Sequence, residues 1–258
     1  MKRFIAIAVA VLLAFTVMPA AYADNAQSWY CVRNKDHKQP IVGSDLSWVE
    51  SYGGYYIDHA HGDASEEKLV YLTFDAGYEN GNVAKILDIM KEKQVTGAFF
   101  VLEHLVCENR ELVSRMINEG HLICNHTANH PDVTKLKDME AFKKELRALE
   151  DVYRDKFGKE ISKYFRPPEG RFNRRSLEYA QKLGYKTVFW SFAYADWDNN
   201  SQMSVQAAKD KILGNIHNGA VILLHPTSDT NVAVLGDVID VLKSQGYSFG
   251  SLDELTCG

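Results

Sequence analysis

The 258-residue sequence has no block of like charge, no internal repeat, no low-complexity tract and no linker between domains. The missing basic clusters argue against a nucleic-acid partner, because phosphates require grouped Lys and Arg side chains. The missing linker and a hydrophobic content of 46% fit one sizeable core, although length alone also permits two small domains. The architecture is therefore inferred from the order of the predicted strands and helices.

Long apolar runs are also scarce, and the clearest one lies at the N-terminus. Residues 1–23 have the parts of a secretory signal: Lys2 and Arg3, an apolar run over 5–17, and a small-x-small site ending at Ala23. The run is too short and too poorly flanked to be read as a membrane span. We predict export, with the signal cleaved after Ala23 or retained as an anchor. Without the signal, 27 basic and 34 acidic residues give a formal charge of −7.

Cysteine is rare as well, with only Cys31, Cys107, Cys124 and Cys257 present. An even number in an exported protein is compatible with disulfides, but four cysteines allow three pairings. A bond between Cys31 and Cys257 would tie the ends of the chain together and is the pairing we predict. Small buried thiols are the alternative.

The rest of the pattern divides into an arm and one α/β domain. Residues 24–67 show no clean period and are predicted to wrap the domain as an N-terminal extension. Residues 68–258 alternate between short strands and amphipathic helices, which predicts parallel strands covered by helices. The predicted strands are 69–75, 96–101, 121–126, 164–166, 186–191, 220–225 and 247–250.

Polar side chains at the strand ends favour one of two arrangements. An open doubly wound sheet and a closed, distorted (β/α) barrel both accommodate about seven parallel strands. Asp75, His126, Arg166 and His225 each end a strand, and Asp196 follows the fifth. Catalytic side chains gathered at the carboxyl ends of several strands are typical of a barrel mouth. We therefore predict the barrel.

Asp75 ends the first core strand, in the segment TFDAGYEN. Taken alone, an Asp before a turn is more often a turn former or a helix cap. The functional alternative is a general base that takes the proton of an attacking water.

His126 and His130 lie four residues apart in NHTANH. This spacing lets both imidazoles share one face of a helical turn and bind one cation, although a solvated or hydrogen-bonded pair is commoner. Pro131 disfavours continuation of the turn. Cys124 shares a strand face with His126 and is predicted to be a core residue rather than an accessory ligand.

The segment RPPEGRF begins at Arg166. Its two prolines fix the backbone, which suits a rigid guanidinium that orients Asp75 and lowers the pKa of that carboxyl group. An ordinary loop is the alternative. The amides of Glu169 and Gly170 lie beyond the prolines and are predicted to be free to donate to an oxyanion of the substrate.

Asp196 and Trp197 in SFAYADW, and His225 in ILLHPTS, complete the candidates. A His at a strand end can protonate a leaving amine, and an Asp on its other nitrogen would keep it charged and correctly turned. A loop histidine with ordinary hydrogen bonds is the alternative. Trp197 is read as a core residue or as a platform for a sugar face.

In this order the segments resemble the motifs of the polysaccharide deacetylases with the NodB homology domain, carbohydrate esterase family 4. The resemblance runs from about Leu69 to Leu255. It implies a NodB-like barrel in which a divalent metal, usually zinc, activates water to remove an N-acetyl group. The roles it implies are Asp75 as catalytic base, His126 and His130 as metal ligands, Arg166 orienting the base, and Asp196 supporting His225 as general acid.

Ala76 departs from the family pattern, because the usual TFDDG motif places a metal-binding Asp there. The chain then offers two histidines, and waters, substrate or another residue must complete the metal shell, which predicts weaker affinity or a changed metal. The delta-lactam-biosynthetic de-N-acetylases, a subgroup of the family, also lack this Asp. The chain is similar to them in TFD-x-GYENG, in the FWS run ending at Trp197, and in the arm over 29–40.

The subgroup resemblance implies a substrate of peptidoglycan glycan strands whose muramic residues have lost their peptides. The freed amine would cyclise to the muramic δ-lactam of spore cortex, so a muramoyl amidase acting beforehand is the functional partner. We therefore predict an exported N-acetylmuramic acid deacetylase. The alternatives are a deacetylase of N-acetylglucosamine or chitin-like polymers and a non-catalytic wall-glycan binding protein.

Overall fold

The computed structural model describes residues 25–33 and 36–257. The predicted signal over 1–23 and its cleavage site lie outside these described residues. Within the two described ranges, no helix has the length and apolar character needed to cross a membrane.

Short strands separated by helices follow one another along the chain. Among the described residues there are ten strands, of which eight form one sheet with every pairing parallel and the other two form an antiparallel pair. The strands are β1 (Gln27–Ser28), β2 (Gly54–Tyr55), β3 (Lys68–Ala76), β4 (Ala98–Val101), β5 (Leu122–Asn125), β6 (Ser162–Phe165), β7 (Arg171–Phe172), β8 (Lys186–Val188), β9 (Ala220–Leu224) and β10 (Tyr247–Phe249).

The sheet closes into a distorted barrel. Its strand order is β10-β3-β4-β5-β6-β8-β2, and β9 pairs with β3. Beyond β8, Phe192 bridges to Ile222 of β9, so that the order returns to β3. The predicted barrel of about seven parallel strands is confirmed. The pattern missed β2, which the arm contributes, because two residues are too few to show a period.

Amphipathic helices cover the outside of the barrel, and side-chain caps define where several begin. The Asp138 carboxylate accepts the Ala141 amide at the start of α4, which ends at Gly158 with a φ of 63°. The helices are α1 (Asn82–Glu92), α2 (Glu103–Glu108), α3 (Arg110–Asn118), α4 (Met139–Phe157), α5 (Arg174–Lys182), α6 (Val205–Leu213), α7 (Asp229–Ser244) and α8 (Leu252–Leu255).

Strand β3 shows how residue alternation separates two apolar layers. Leu72, Phe74 and Ala76 pack in the cluster between the strands and the helices, whereas Tyr71 belongs to the cluster inside the barrel. Because successive side chains of a strand point to opposite faces, Asp75 falls on the inward set at the carboxyl end of β3. The alternation thus places a carboxylate at the barrel mouth.

The arm packs along the barrel, as predicted. Trp29 stacks on Phe189 with ring centroids 4.3 Å apart. The Trp29 indole N–H donates to the Trp190 carbonyl oxygen, and its amide donates to the Gly170 carbonyl oxygen, both at 2.8 Å. The arm therefore supports the chain segments that follow β6 and β8 at the barrel mouth.

The predicted Cys31–Cys257 disulfide is wrong, since all four cysteines are unpaired. The Cys31 thiol donates to the Ser191 carbonyl oxygen beyond the carboxyl end of β8. Cys257 follows Thr256, whose carbonyl oxygen accepts from Lys186 at the amino end of the same strand. The two cysteines therefore sit near opposite ends of a segment about 16 Å long at ~3.3 Å per residue, and a disulfide requires Cα atoms within about 7 Å.

Candidate active site

A cleft of about 700 Å³ opens at the carboxyl ends of the strands. Of the side chains singled out in the sequence, Arg166 and Asp196 lie behind its wall, with exposures of 0% and 1%. The others line the cleft, and they are Asp75, His126, His130, Glu169, Gly170, Trp197 and His225.

Asp75 and Arg166 form an ion pair at the base of the cleft. Arg166 Nη1 donates to Asp75 Oδ1 at 2.8 Å, while Asp75 Oδ2 lies 3.5 Å from His126 Nε2. Burial alone would raise the pKa of Asp75, but the charges of Arg166 and the nearby histidines outweigh it and hold that pKa below its ordinary value. Asp75 is therefore a carboxylate at neutral pH, with one oxygen bound and the other facing the cleft.

Arg166 is held on every side. Its Nε donates to the Val188 carbonyl oxygen at 2.9 Å, and its Nη2 donates to Thr73 Oγ1 at 2.9 Å. The guanidinium also lies 4.1 Å from the centre of the Phe100 ring. A planar donor fixed by strands β3, β6 and the end of β8 sets the orientation of the Asp75 carboxylate.

The histidine loop, residues 125–130, brings His126 and His130 together without a helical turn. Their ring centroids lie 5.0 Å apart. The helical turn expected from the four-residue spacing is wrong, because no helix covers the loop and both Thr127 and His130 have positive φ angles, 73° and 56°. A β-branched residue at such an angle is strained and persists only where neighbouring contacts impose it.

Hydrogen bonds impose that conformation on the histidine loop. Asn125 Oδ1 accepts the Thr127 amide at 2.8 Å, and Thr127 Oγ1 accepts the His130 amide at 2.9 Å. The Glu145 carboxylate, from α4, accepts the Asn129 amide at 3.1 Å. The strain is thus balanced by bonds to the loop itself and to α4.

The protonation state of the His126 ring suits metal coordination. Its Nδ1 lies 2.8 Å from the Arg166 carbonyl oxygen, which can only accept, so Nδ1 carries the proton and Nε2 is unprotonated. Burial lowers the pKa of His126 to about 4, which keeps the ring neutral. Its Nε2 and Asp75 Oδ2 are then two acceptors facing each other, an arrangement that a cation stabilises. These features fit a divalent metal held by His126 and His130.

Position 76 adds no ligand to this pair. Ala76 is fully buried in the apolar layer between strands and helices. Cys124 is also a core residue, as predicted, and burial raises the pKa of its thiol. Among the described residues, no group of three or more His, Cys, Asp or Glu side chains is arranged to hold a metal. Two imidazoles are therefore what the described chain itself offers near Asp75.

Asp196 and His225 form a hydrogen-bonded pair across the cleft, called the acid pair after the general-acid role predicted for His225. His225 Nδ1 lies 2.7 Å from Asp196 Oδ1, and the His225 amide donates to Asp196 Oδ2 at 2.8 Å. Burial alone would lower the pKa of His225, but the hydrogen bond and charge of Asp196 raise it above its ordinary value. The pair therefore favours a protonated imidazole beside the cleft.

The sequence pattern missed two further residues at the acid pair. Asn231, on the first turn of α7, donates its Nδ2 to Asp196 Oδ2 at 2.6 Å. Tyr194, which lines the cleft, donates its hydroxyl to Asn231 Oδ1. Asn231, the third residue of α7, carries no local signal for this role, because its partners Asp196 and Tyr194 lie 35 and 37 positions earlier in the chain.

The RPPEG segment differs from prediction at one of its two amides. The Gly170 amide donates to the Pro167 carbonyl oxygen at 3.0 Å, so it is not free for an oxyanion. The cause is a tight turn in which both Glu169 and Gly170 have positive φ angles, 56° and 62°. The Glu169 amide is the remaining candidate donor.

Two exposed aromatic rings flank the cleft. Trp197 and Tyr78 are 61% and 47% exposed, and both contribute to the cleft wall. Trp197 meets the His225 ring edge to face, with centroids 6.0 Å apart. Trp197 is therefore not a core residue, and its exposed ring is available to a sugar face.

Fold and site together define a deacetylase of the (β/α)-barrel type. The family described as polysaccharide deacetylase matches residues 62–188. The chain is 42% identical over 249 residues to the peptidoglycan-N-acetylmuramic acid deacetylase PdaA of Bacillus subtilis, covering 95% of this chain and 92% of that protein. The chain belongs to the polysaccharide deacetylase family, carbohydrate esterase family 4, whose members hydrolyse N-acetyl amides.

Solved structures and a further relative agree with this assignment. The structure of Bacillus subtilis PdaA has a TM-score of 0.84 and 40% identity, covering 91% of this chain and 98% of that one. A family 4 carbohydrate esterase from Bacillus anthracis has a TM-score of 0.73 and 36% identity, with the same coverage. A peptidoglycan-N-acetylglucosamine deacetylase of Bacillus cereus is 31% identical, covering 81% of this chain and 74% of that protein. Relatives therefore differ in the sugar that their names specify, while deacetylases of this family are generally metal-dependent.

Proposed function

We propose that this protein is an exported enzyme that removes the acetyl group from N-acetylmuramic acid in peptide-stripped peptidoglycan. The proposal rests on the placement of Asp75 and His225 in one cleft. The buried Arg166 forms an ion pair with Asp75, and the buried Asp196 pairs with His225. A protein that only bound glycan would need neither a base nor an acid.

Asp75 is the proposed base of the attack. Its Oδ1 is bound to Arg166, which leaves Oδ2 to take a proton from water as the water oxygen adds to the acetyl carbonyl carbon. The ionised form is present at neutral pH because Arg166 holds the pKa of Asp75 low. Arg166 thus keeps the carboxylate charged and aimed at the cleft.

The addition places negative charge on the acetyl oxygen. The Glu169 amide is the proposed backbone donor to that oxygen, since Glu169 lines the cleft and the neighbouring Gly170 amide is already bonded to Pro167. His126 and His130 would hold a divalent metal, for which zinc is the first choice, and a bound metal supplies Lewis-acid polarisation of the carbonyl.

His225 completes the reaction as general acid. It donates its proton to the departing sugar nitrogen as the C–N bond breaks, which releases acetate and a free amine. Asp196 stabilises the imidazolium and holds Nδ1, so the other ring nitrogen faces the cleft. Trp197, beside His225, would stack on the sugar face.

The sugar assignment is supported by the 42% identity to PdaA, whose name specifies N-acetylmuramic acid, and by the subgroup motifs, Ala76 included. A free muramic amine can close onto the lactyl carboxylate once the peptide is gone, forming the δ-lactam of spore cortex. The enzyme would then act after a muramoyl amidase. Export rests on the predicted signal over residues 1–23.

Acetate release from peptidoglycan, with and without prior amidase treatment, tests the proposal. Each reaction is run with a chelator and again with zinc or magnesium restored. We expect release from stripped glycan alone and its loss with the chelator. Release from intact glycan as well would indicate a general deacetylase. Glycan binding without any acetate release would favour a wall-binding protein.

A further inference from the structure

Asn231 occupies a buried position that the proposed reaction leaves unexplained. It is 0% exposed, and its side chain makes three hydrogen bonds. Nδ2 donates to Asp196 Oδ2 at 2.6 Å and to the His225 carbonyl oxygen at 3.0 Å, and Oδ1 accepts from the Tyr194 hydroxyl. One amide therefore touches both members of the acid pair and one residue of the cleft wall.

The orientation of this amide is determined by its neighbours. Asp196 Oδ2 and the His225 carbonyl oxygen can only accept, so both require the NH₂ end of Asn231. The Tyr194 hydroxyl then donates to the opposite oxygen. Ser228 Oγ accepts the Asn231 amide at 3.1 Å and so anchors its backbone at the start of α7. The side chain has no second arrangement that satisfies these partners.

The bonds of Asn231 decide which carboxylate oxygen of Asp196 faces the imidazole. Oδ2 receives the Asn231 Nδ2 and the His225 amide, which leaves Oδ1 for His225 Nδ1 at 2.7 Å. Without Asn231, the His225 amide is the remaining donor to Oδ2, and both bonds that oppose rotation about the Cβ–Cγ bond of Asp196 come from His225 itself. The loss of one donor to a buried carboxylate also costs stability.

We propose that Asn231 is a positioning residue for the general acid and that Tyr194 fixes the orientation of the Asn231 side-chain amide. Asn231 does not touch substrate; it acts through Asp196 on His225. The inference rests on the proposed function, because it assigns His225 the role of proton donor to the leaving amine. Tyr194 adds a link between the cleft wall and that donor.

Two substrates separate this role from ordinary structural support. Stripped glycan requires protonation of a poor leaving group, whereas an aryl acetate such as 4-nitrophenyl acetate leaves unprotonated but still needs the attack. In Asn231→Leu we expect kcat for glycan to fall by about 10–100-fold, part of the ~10²–10⁴ that acid–base groups contribute. Ester hydrolysis should fall by less than about 3-fold on the same reasoning. Tyr194→Phe leaves the hydrogen bonds of Asn231 Nδ2 in place. It should therefore lower the glycan rate relative to the ester rate by a smaller factor than Asn231→Leu does.

Thr230→Val is the matched control, since Thr230 neighbours Asn231 in α7 and donates to Met203 without contacting the acid pair. It should leave the glycan-to-ester ratio at the wild-type value. Equal losses on both substrates in Asn231→Leu, with a thermal midpoint like that of Thr230→Val, would overturn the proposal.

A spectroscopic measurement needs no turnover and separates this inference from the proposed function. Proton NMR of the wild type should show a low-field Nδ1–H resonance from His225 bound to Asp196. We expect it to move upfield or vanish in Asn231→Leu and Asp196→Asn, and to persist in Thr230→Val. An unchanged resonance in Asn231→Leu would refute the positioning role, even if the wild type deacetylates glycan. A wild type that releases no acetate, but shows the expected shifts, would refute only the proposed function.

Discussion

The two sides of the cleft hold their functional groups by different means. In the histidine loop, Thr127 and His130 adopt positive φ angles, and bonds from Asn125 and Glu145 impose this backbone. In the acid pair, Asp196 and His225 have no such angle, and hydrogen bonds to their own side chains fix them. The loop holds two imidazoles in place through a strained backbone, whereas the acid pair holds one imidazole through hydrogen-bonded partners that favour its protonated form.

This difference fits the roles proposed for the two sides. A metal site with few protein ligands gains affinity when its ligands are already in place, because less freedom is lost on binding. A proton donor needs a stable charge, and a buried carboxylate whose oxygens are both occupied supplies it. Disruption of the loop should therefore affect metal binding first, and disruption of the acid pair should affect the pH profile first.

The largest effect is expected from Asp75→Asn, which removes the carboxylate that lies between the two sides but preserves its volume. Acetate release should fall by about 10²–10⁴-fold, because the attacking water loses its base. Kinetics on stripped glycan measure this, and circular dichroism checks the fold. The exposed Asp88 on α1 offers a matched control, Asp88→Asn. Turnover near the wild-type rate would remove Asp75 from the role of base.

Glu145→Ala tests whether the contact with α4 holds the histidine loop in its metal-binding conformation. The substitution removes the carboxylate that accepts from Asn129, so the strained loop can relax. We expect zinc affinity, measured by calorimetric titration, to fall by about 10–100-fold, as for other groups that orient metal ligands. Glu140→Ala on the same helix removes only a solvent-exposed contact to Lys143 and serves as control. Equal affinities in the two variants would show that the bonds to Asn125 and Thr127 hold the loop without the Glu145 carboxylate.

Asp196→Asn tests whether the charge of Asp196 maintains the raised pKa of His225. Asp196 raises the pKa of His225, and a general acid works only below its own pKa. Removal of the negative charge lowers that pKa, so the alkaline limb of the kcat profile should move to lower pH. Zinc affinity should stay at the wild-type value. An alkaline limb that does not move would mean that another group limits the reaction at high pH.

The smallest effect is expected at the turn that carries Glu169. A Cβ on Gly170 would lie 2.7 Å from Trp190 Cη2, and its φ is 62°. Gly170→Ala should therefore lower the free energy of unfolding in urea by about 1–3 kcal/mol. Gly158→Ala has a similar φ of 63° but open space around its Cβ, so it measures the backbone strain alone. Identical losses would show that the contact with Trp190 contributes nothing.

Several features of this site could be predicted from local pattern. The alternation in β3 placed Asp75 on the inward face, and four strand ends supplied the polar side chains of the cleft. The spacing of His126 and His130 predicted that the two rings would meet, but for the wrong reason, since the loop is not helical. Local spacing limits how far apart two side chains can be without determining the backbone between them.

Other features had no local signal. Asn231 contacts Asp196 across 35 residues, and Glu145 contacts Asn129 across 16. The free amide expected at Gly170 is engaged in a turn, because the carbonyl oxygen of Pro167 lies within reach once the chain bends there. The bond at Gly170 is a local turn, whereas the contacts of Asn231 and Glu145 depend on where whole strands and helices lie.

The sequence by itself determined the order of strands and helices, the (β/α)-barrel class, the chemistry at the strand ends and the absence of a carboxylate at position 76. These follow from residue alternation, helix periodicity and residue type, which act over a few positions. Only the tertiary structure decided that Cys31 and Cys257 are unpaired, that Asp75 keeps one oxygen for the cleft, and that Asn231 orients the acid pair. Those outcomes depend on distances between distant segments, which exist only after the barrel has closed.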